Sequence, residues 1–208
     1  MGKETGFFED FLTRTLGLLD TWLLKDKEQF WGFFMSLGTI NAAIRDVKDF
    51  PKKGIIFKDI TPVLKSEQLF REVIDIIAAR YEKNKPDSFA AIESRGFIFG
   101  SALAYKLKCG FIPVRKKGKL PYKAIEESYS LEYGTATLEI HEDAVSRGEK
   151  VVIIDDLLAT GGTACASAKL IERLGGRVAG LEFVIELGFL KGRANLGKYL
   201  VNSMIVVD

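Results

Sequence analysis

What is scarce in this chain narrows its class first. Its 208 residues include two cysteines, Cys109 and Cys165, and one histidine. Two cysteines so far apart exclude a disulfide framework and paired zinc ligands, and read as free thiols in a reducing cytoplasm. Only five prolines and no biased tract, with 47% hydrophobic and 28% charged residues, exclude a disordered chain. No uninterrupted apolar run reaches the roughly 18 residues that cross a bilayer, so no membrane partner is expected. A net charge of +2 lacks the pervasive basic footprint of a nucleic-acid-binding domain, so nucleic acid is not expected either, and any anion binding must be local. The length suits one well-buried domain of about 100 to 200 residues with a small appendage.

The beginning of the chain reads differently from the rest. Phe8, Phe11, Leu12, Thr15, Leu16, Leu19, Trp22 and Leu23 recur at helical spacing, with Glu9, Asp10, Arg14 and Asp20 between them. A second aromatic cluster follows at Phe30, Trp31, Phe33 and Phe34. Glu4, Glu9 and Asp10 interrupt the stretch that a signal peptide would keep apolar, so a docking helix or upstream extension fits better than a cleaved leader. Met35 is an alternative start, because ordinary globular sequence follows it. The expected organisation is a helical extension over 1–34 and one domain over 35–208.

Downstream the pattern alternates. Helices are expected near 66–83, 97–108 and 163–174, and strands near 88–93, 110–114, 151–154, 178–185 and 204–207. Residues 129–140 alternate like a hairpin pinned near Gly134. Aliphatic strands separated by helices call for an α/β fold with a central parallel sheet flanked by helices on both faces. Ligands of such sheets sit at the carboxyl ends of the strands.

One stretch concentrates chemistry at such an end. In VVIIDDLLATGGTA, residues 151–164, an aliphatic strand runs into Asp155 and Asp156 and then into Ala159, Thr160, Gly161, Gly162 and Thr163. The glycines tolerate positive φ, so the loop amides can face outward together, and a helix starting at Thr163 adds its dipole to a phosphate cradle. The loop lacks the lysine of a nucleoside-triphosphatase loop, which favours a phosphate monoester. Two ionised carboxylates beside the cradle suit a vicinal diol. Phosphate plus diol describes ribose 5-phosphate. Either feature alone would equally fit a capped turn.

The motif resembles the phosphoribosyl-pyrophosphate motif of the type I phosphoribosyltransferases. The likeness runs from about Ile44 to the C-terminus and includes DFPKKGIIFKDITP (49–62), ESRGFIFG (93–100), VRKKGKLP (114–121) and SYSLEYGTATLEI (128–140). Within the family, ESRGFIFG and SLEYG point to adenine as the acceptor base. The resemblance implies that family's sheet with a small hood, here with an extra N-terminal helix, and a homodimer. It also implies Mg²⁺ bridging the sugar hydroxyls and pyrophosphate, with no metal-ligand set assigned to the protein itself.

The resemblance also distributes roles. The run 114–123 carries Arg115, Lys116, Lys117, Lys119 and Lys123. Alone it would pass for a solvated surface; the family implies that Arg115, Lys116 and Lys119 hold pyrophosphate. Arg95, with nearby amides, forms a second anion loop at the position of the family's pyrophosphate loop, although Ser94 could simply cap a helix. Glu132 and Tyr133 precede Gly134 at a hairpin tip able to close over a site. Ribosyl transfer passes through cationic character at C1′ and the purine loses a proton, so a mobile carboxylate could serve both needs. Glu132 matches the family's proposed acid/base, and Tyr133 is placed with the donor. Phe57 can stack on a flat base, or be an ordinary core ring, while backbone around Lys58 can read the base edge. Many relatives have arginine at Lys58, which matters only if the side chain makes the contact. His141 and the pair Glu126 and Glu127, read as solvated loop, receive no role.

Two alternatives stay open. A transferase for another base would share the phosphate motif. A regulator sensing the same sugar phosphate would want a helix-turn-helix, whereas residues 1–34 offer an aromatic stripe with almost no basic face.

Overall fold

The computed structural model describes residues 27–130 and 134–208. The apolar stripe from Phe8 to Leu23 therefore lies outside the described residues, as do Glu132 and Tyr133. The chain divides into two compact units, comprising 27–76 and 77–208 among the described residues.

In the first unit, helix α1 (Lys27–Ala43) runs without a break through Met35, where the boundary between extension and domain was expected. Strands β1 (Arg45–Lys48) and β2 (Ile56–Asp59) then form an antiparallel pair with Asp46 opposite Lys58. Helix α2 (Thr61–Lys65) begins with Pro62 in its first turn, where a missing N–H costs nothing. Helix α3 (Glu67–Ala79) starts one residue after Ser66, whose hydroxyl accepts the Leu69 N–H at 3.3 Å. It stops four residues short of the expected 83. Tertiary bonding overrides helix propensity there: Arg80 is ion-paired with buried Glu182, and Tyr81 Oη donates to the same carboxylate at 2.7 Å.

The second unit carries β3 (Ser88–Ile92), α4 (Gly96–Leu107), β4 (Gly110–Lys116), β5 (Ala124–Ser130), β6 (Thr135–His141), β7 (Lys150–Leu158), α5 (Gly162–Arg173), β8 (Arg177–Leu187) and β9 (Val201–Val207). Short 3₁₀ turns at Gly188–Leu190 and Gly192–Leu196 lie between β8 and β9. The seven strands form one sheet in the order 5-6-4-3-7-8-9. Strands β4, β3, β7, β8 and β9 are mutually parallel, and the hairpin of β5 and β6 adds antiparallel to β4. This is the expected α/β architecture. All five residues of β3 are buried, as are Val151 to Ile154 of β7, which is why both read as unbroken aliphatic runs. From β3 the chain places β4 on one side and β7 on the other, so the strand order reverses between β3 and β7. A crevice opens at the carboxyl ends of strands where such a reversal occurs.

Two strands outrun their expected ends, with consequences for the site. β4 continues past Val114 because Arg115 and Lys116 pair with Glu139 and Leu138 of β6. β7 continues to Leu158 because Asp155, Leu157 and Leu158 pair with Phe183, Ile185 and Glu186 of β8. Asp155 and Asp156 thus lie inside the strand, not beyond it: ladder hydrogen bonds from a neighbouring strand override their poor strand propensity. Glu126 and Glu127, read as loop, belong to β5 for the same reason.

Candidate active site

The carboxyl ends of β3 and β7 bring acids and cations together. A cavity of ≈ 310 Å³ is lined by Glu93, Ser94, Arg95, Lys116, Asp155 and Asp156. Ser94 does not cap α4: the N-cap position belongs to Arg95, and no side chain caps the helix. The Glu93–Ser94 peptide is cis. Gly96 allows the start of α4 to sit tight on β7, since a Cβ there would come within 2.8 Å of the Ile154 carbonyl oxygen.

The acidic doublet is electrostatically uncomfortable. Asp156 is only 3% exposed, while Asp155 is half-buried and accepts the Asp156 N–H at 2.9 Å. Arg95 Nε lies 2.8 Å from Asp156 Oδ2 in an ion pair, and among the described residues that oxygen has no other donor. Burial pushes the Asp155 carboxyl well above the ordinary aspartate range, and the neighbouring Asp156 charge adds to it. Burial also raises Asp156, against the opposing pull of Arg95.

The third acid of the site, Glu93, is well satisfied. Burial alone would raise Glu93, but hydrogen bonds from Arg115 Nε at 3.1 Å and from the Lys116 N–H at 3.2 Å outweigh it and hold the carboxyl below the usual glutamate range. Arg115, expected on pyrophosphate, is therefore committed to Glu93 and, through Nη1, to the Lys119 carbonyl at 2.9 Å. Of the expected cation set, Arg95 and Lys116 border the cavity; Arg115 and Lys119 are not among its lining residues. Lys117 is drawn off to Glu126 at 2.7 Å.

The turn carrying these cations is organised from below. Glu139, 5% exposed, accepts the N–H groups of Gly118 at 3.1 Å, Lys119 at 2.8 Å and Leu120 at 2.6 Å. Burial would raise this carboxyl, but the three backbone donors prevail and lower it. Sequence reasoning missed Glu139 because alternation in β6 puts it opposite Leu138 and Ile140, on what reads as a solvated face.

The glycine loop forms a second, smaller cavity of ≈ 60 Å³, whose polar lining comes from Asp155, Ala159, Thr160, Gly161 and Thr163. Gly161 has φ +81° as the N-cap of α5, a left-handed conformation that favours glycine. The first turn of α5 carries the N–H groups that no helical carbonyl can reach, beside Gly162 and Thr163. Thr163 Oγ1 donates to Tyr129 Oη at 3.1 Å, which joins the loop to β5. Asp155 lines both cavities.

The expected base-binding residues lie in the first unit. Phe57 meets Phe50 edge-on, with ring centroids 5.3 Å apart. Lys58 Nζ is 2.7 Å from Asp46, its cross-strand partner, so its side chain is occupied within the hairpin. His141, given no role, packs edge-on against Tyr122 at 6.0 Å. Among the described residues no group of three or more His, Cys, Asp or Glu side chains could hold a metal ion. No described helix is long and apolar enough to cross a membrane. Both cysteines are free.

With this geometry in hand, comparison with known proteins is informative. Residues 59–191 match the Phosphoribosyl transferase domain. An adenine phosphoribosyltransferase of Brachyspira hyodysenteriae is 57% identical over 162 residues, covering 78% of this chain and 95% of its own length. The crystal structure of adenine phosphoribosyltransferase from Thermoanaerobacter pseudethanolicus superposes with a TM-score of 0.80 at 56% identity, covering 82% of this chain and 99% of that one. The Saccharomyces cerevisiae adenine phosphoribosyltransferase, solved with an imino-altritol bisphosphate and adenine, gives 0.79 at 38% identity, with 82% and 99% covered.

Proposed function

The chain belongs to the phosphoribosyl transferase family, among the adenine phosphoribosyltransferases, and from that premise we propose how its own residues move a 5-phosphoribosyl group from phosphoribosyl pyrophosphate to adenine. The products are AMP and pyrophosphate. The bond from C1′ to the pyrophosphate oxygen breaks, a bond from the purine nitrogen to C1′ forms, and the proton of that nitrogen leaves.

The observation that carries the assignment of roles is Asp155 standing between two cavities. A sugar diol at Asp155 and Asp156 puts a 5′-phosphate in the smaller cavity, against the amides of Ala159 to Thr163. The pyrophosphate then falls in the larger cavity beside Arg95 and Lys116. Arg115 and Lys119 support that end indirectly, through Glu93 and the turn it shares with them. Asp156 Oδ2, buried and met among the described residues only by the Arg95 ion pair, gains a further donor when a hydroxyl arrives.

A carboxylate pair with no third protein ligand among the described residues fits Mg²⁺ held chiefly by substrate oxygens, the usual habit of that ion beside phosphates. Bound there, the ion would neutralise the charge of the leaving pyrophosphate. Glu132 moves the proton of the purine and faces the cationic C1′, while Tyr133 closes on the donor. Phe57 stacks on adenine, and backbone at Lys58 reads its edge because the Lys58 side chain is already paired.

The protein works as a homodimer in a reducing cytoplasm. Its exposed apolar residues Ile98 and Tyr105, seven apart on one face of α4, and its two free thiols support this. Residues 1–34 are an extension to the catalytic domain of 35–208. Protein beginning at Met35 should keep full activity.

The direct test is AMP formation from adenine, phosphoribosyl pyrophosphate and Mg²⁺, run beside hypoxanthine, xanthine and orotate. Turnover of another base in preference to adenine would move the assignment to a sister transferase. Glu132→Gln should lower kcat by about 100-fold or more with both KM values nearly intact; a normal rate would remove Glu132 from the mechanism.

A further inference from the structure

The glycine loop is held from behind by a turn that so far has no part in the reaction. A Cβ on Gly161 would come to 2.5 Å from the Gly192 carbonyl oxygen, and a Cβ on Gly192 would strike the Ala159 carbonyl. Asn195 Nδ2 donates to the Thr160 carbonyl at 2.8 Å. The turn itself is pinned from below: Arg193 Nε donates to both oxygens of Glu186 at 2.8 Å, and Nη1 to the Val201 carbonyl at 2.6 Å. The Thr160–Gly161 peptide is trans, so its C=O and N–H point opposite ways. Holding the carbonyl on Asn195 therefore also fixes the direction of the Gly161 N–H, in a peptide whose two residues line the smaller cavity.

We propose that Asn195 is a positioning residue for the 5′-phosphate of the donor, a role that rests on the glycine loop being the phosphate site. Asn195 sets one peptide plane of the cradle before the ligand arrives. It does so from an exposed position, where the hydrogen bond adds little to folding but decides the direction of a donor.

Asn195→Asp tests this, because the carboxylate keeps the side chain's shape but cannot donate and repels the Thr160 carbonyl. The KM for phosphoribosyl pyrophosphate should rise about tenfold, as for the loss of one hydrogen bond. The KM for adenine, kcat and the melting temperature should stay unchanged. Thr163→Val, within the loop, keeps the two readings apart. A raised donor KM in Thr163→Val beside a normal one in Asn195→Asp overturns the role of Asn195 and leaves the loop in place. A normal donor KM in both variants overturns the phosphate loop, and the role of Asn195 with it. A rise in both KM values with a lowered melting temperature in Asn195→Asp marks that residue as structural only and overturns the proposal.

Discussion

Two buried acids at the same edge of one sheet behave in opposite ways. Glu139 accepts three backbone N–H groups and its carboxyl is lowered below the usual range. Asp156 has, among the described residues, no donor to Oδ2 beyond its ion pair with Arg95, and both it and Asp155 are raised. A buried carboxylate with its acceptors filled stabilises shape, whereas one left unfilled costs stability until a ligand supplies the donors. The contrast teaches where to look for substrate. Glu139 gives form to the cation turn, and the doublet is where the sugar hydroxyls are proposed to bind.

The sharpest way to break that contrast is Asp155→Asn. Donor turnover, as kcat/KM, should fall about 100-fold or more, since an amide would replace the charge proposed to face the sugar. The same variant should melt at a higher temperature than the parent near pH 7, because a buried like-charge neighbour is gone. An unchanged kcat/KM would sink the contrast outright.

Glu139→Gln should do the reverse. Its amide offers one acceptor where the carboxylate offered two, so stability should drop by about 1 to 2 kcal/mol in urea unfolding. Turnover should stay within a few-fold of the parent, with the change in the donor KM. A loss of kcat comparable to that of Asp155→Asn would mean that Glu139 does more than shape a turn.

The pH dependence separates the two acids by sign. Asp155 has a raised folded value, so it costs stability at neutral pH, and the cost fades as pH falls through that value towards the unfolded value of about 4. Glu139 has a lowered folded value, so its contribution is present above its unfolded value of about 4.3 and is lost as pH falls through the folded one. In thermal melts, both variants should converge on the parent in acid, Asp155→Asn from above and Glu139→Gln from below. Convergence from the same side would refute the contrast.

The smallest effect should come from Lys117→Met. Lys117 pairs with exposed Glu126, away from the cavity lining, so donor KM and melting temperature should both stay at parental values. A rise in donor KM would bring Lys117 back among the pyrophosphate cations.

Much of the local structure at the sheet's carboxyl edge is legible in the sequence. The aliphatic run 151–154, the doublet and the two glycines that follow all state local chemistry: a buried strand, paired charge and permitted positive φ. The helix N-terminus at Gly162 fell one residue from its expected place. Strand ends were less legible, because β4 and β7 are prolonged by partners distant in sequence. In the first unit the helix near 66–83 was legible, but the segment before it was not, since four-residue strands such as β1 and β2 and the five-residue α2 are too short to show a period.

Sequence by itself determined that a glycine turn and a helix start follow a buried strand carrying two acids, because glycine, acid and helix start act over a few adjacent residues. Tertiary structure alone decided that Arg115 answers to Glu93, that Glu139 is filled from the cation turn, and that Asn195 stands behind Thr160. Those pairings join residues 20 or more positions apart. Hydrogen-bond satisfaction is a property of what the fold brings within about 3 Å, and residue type alone does not carry it.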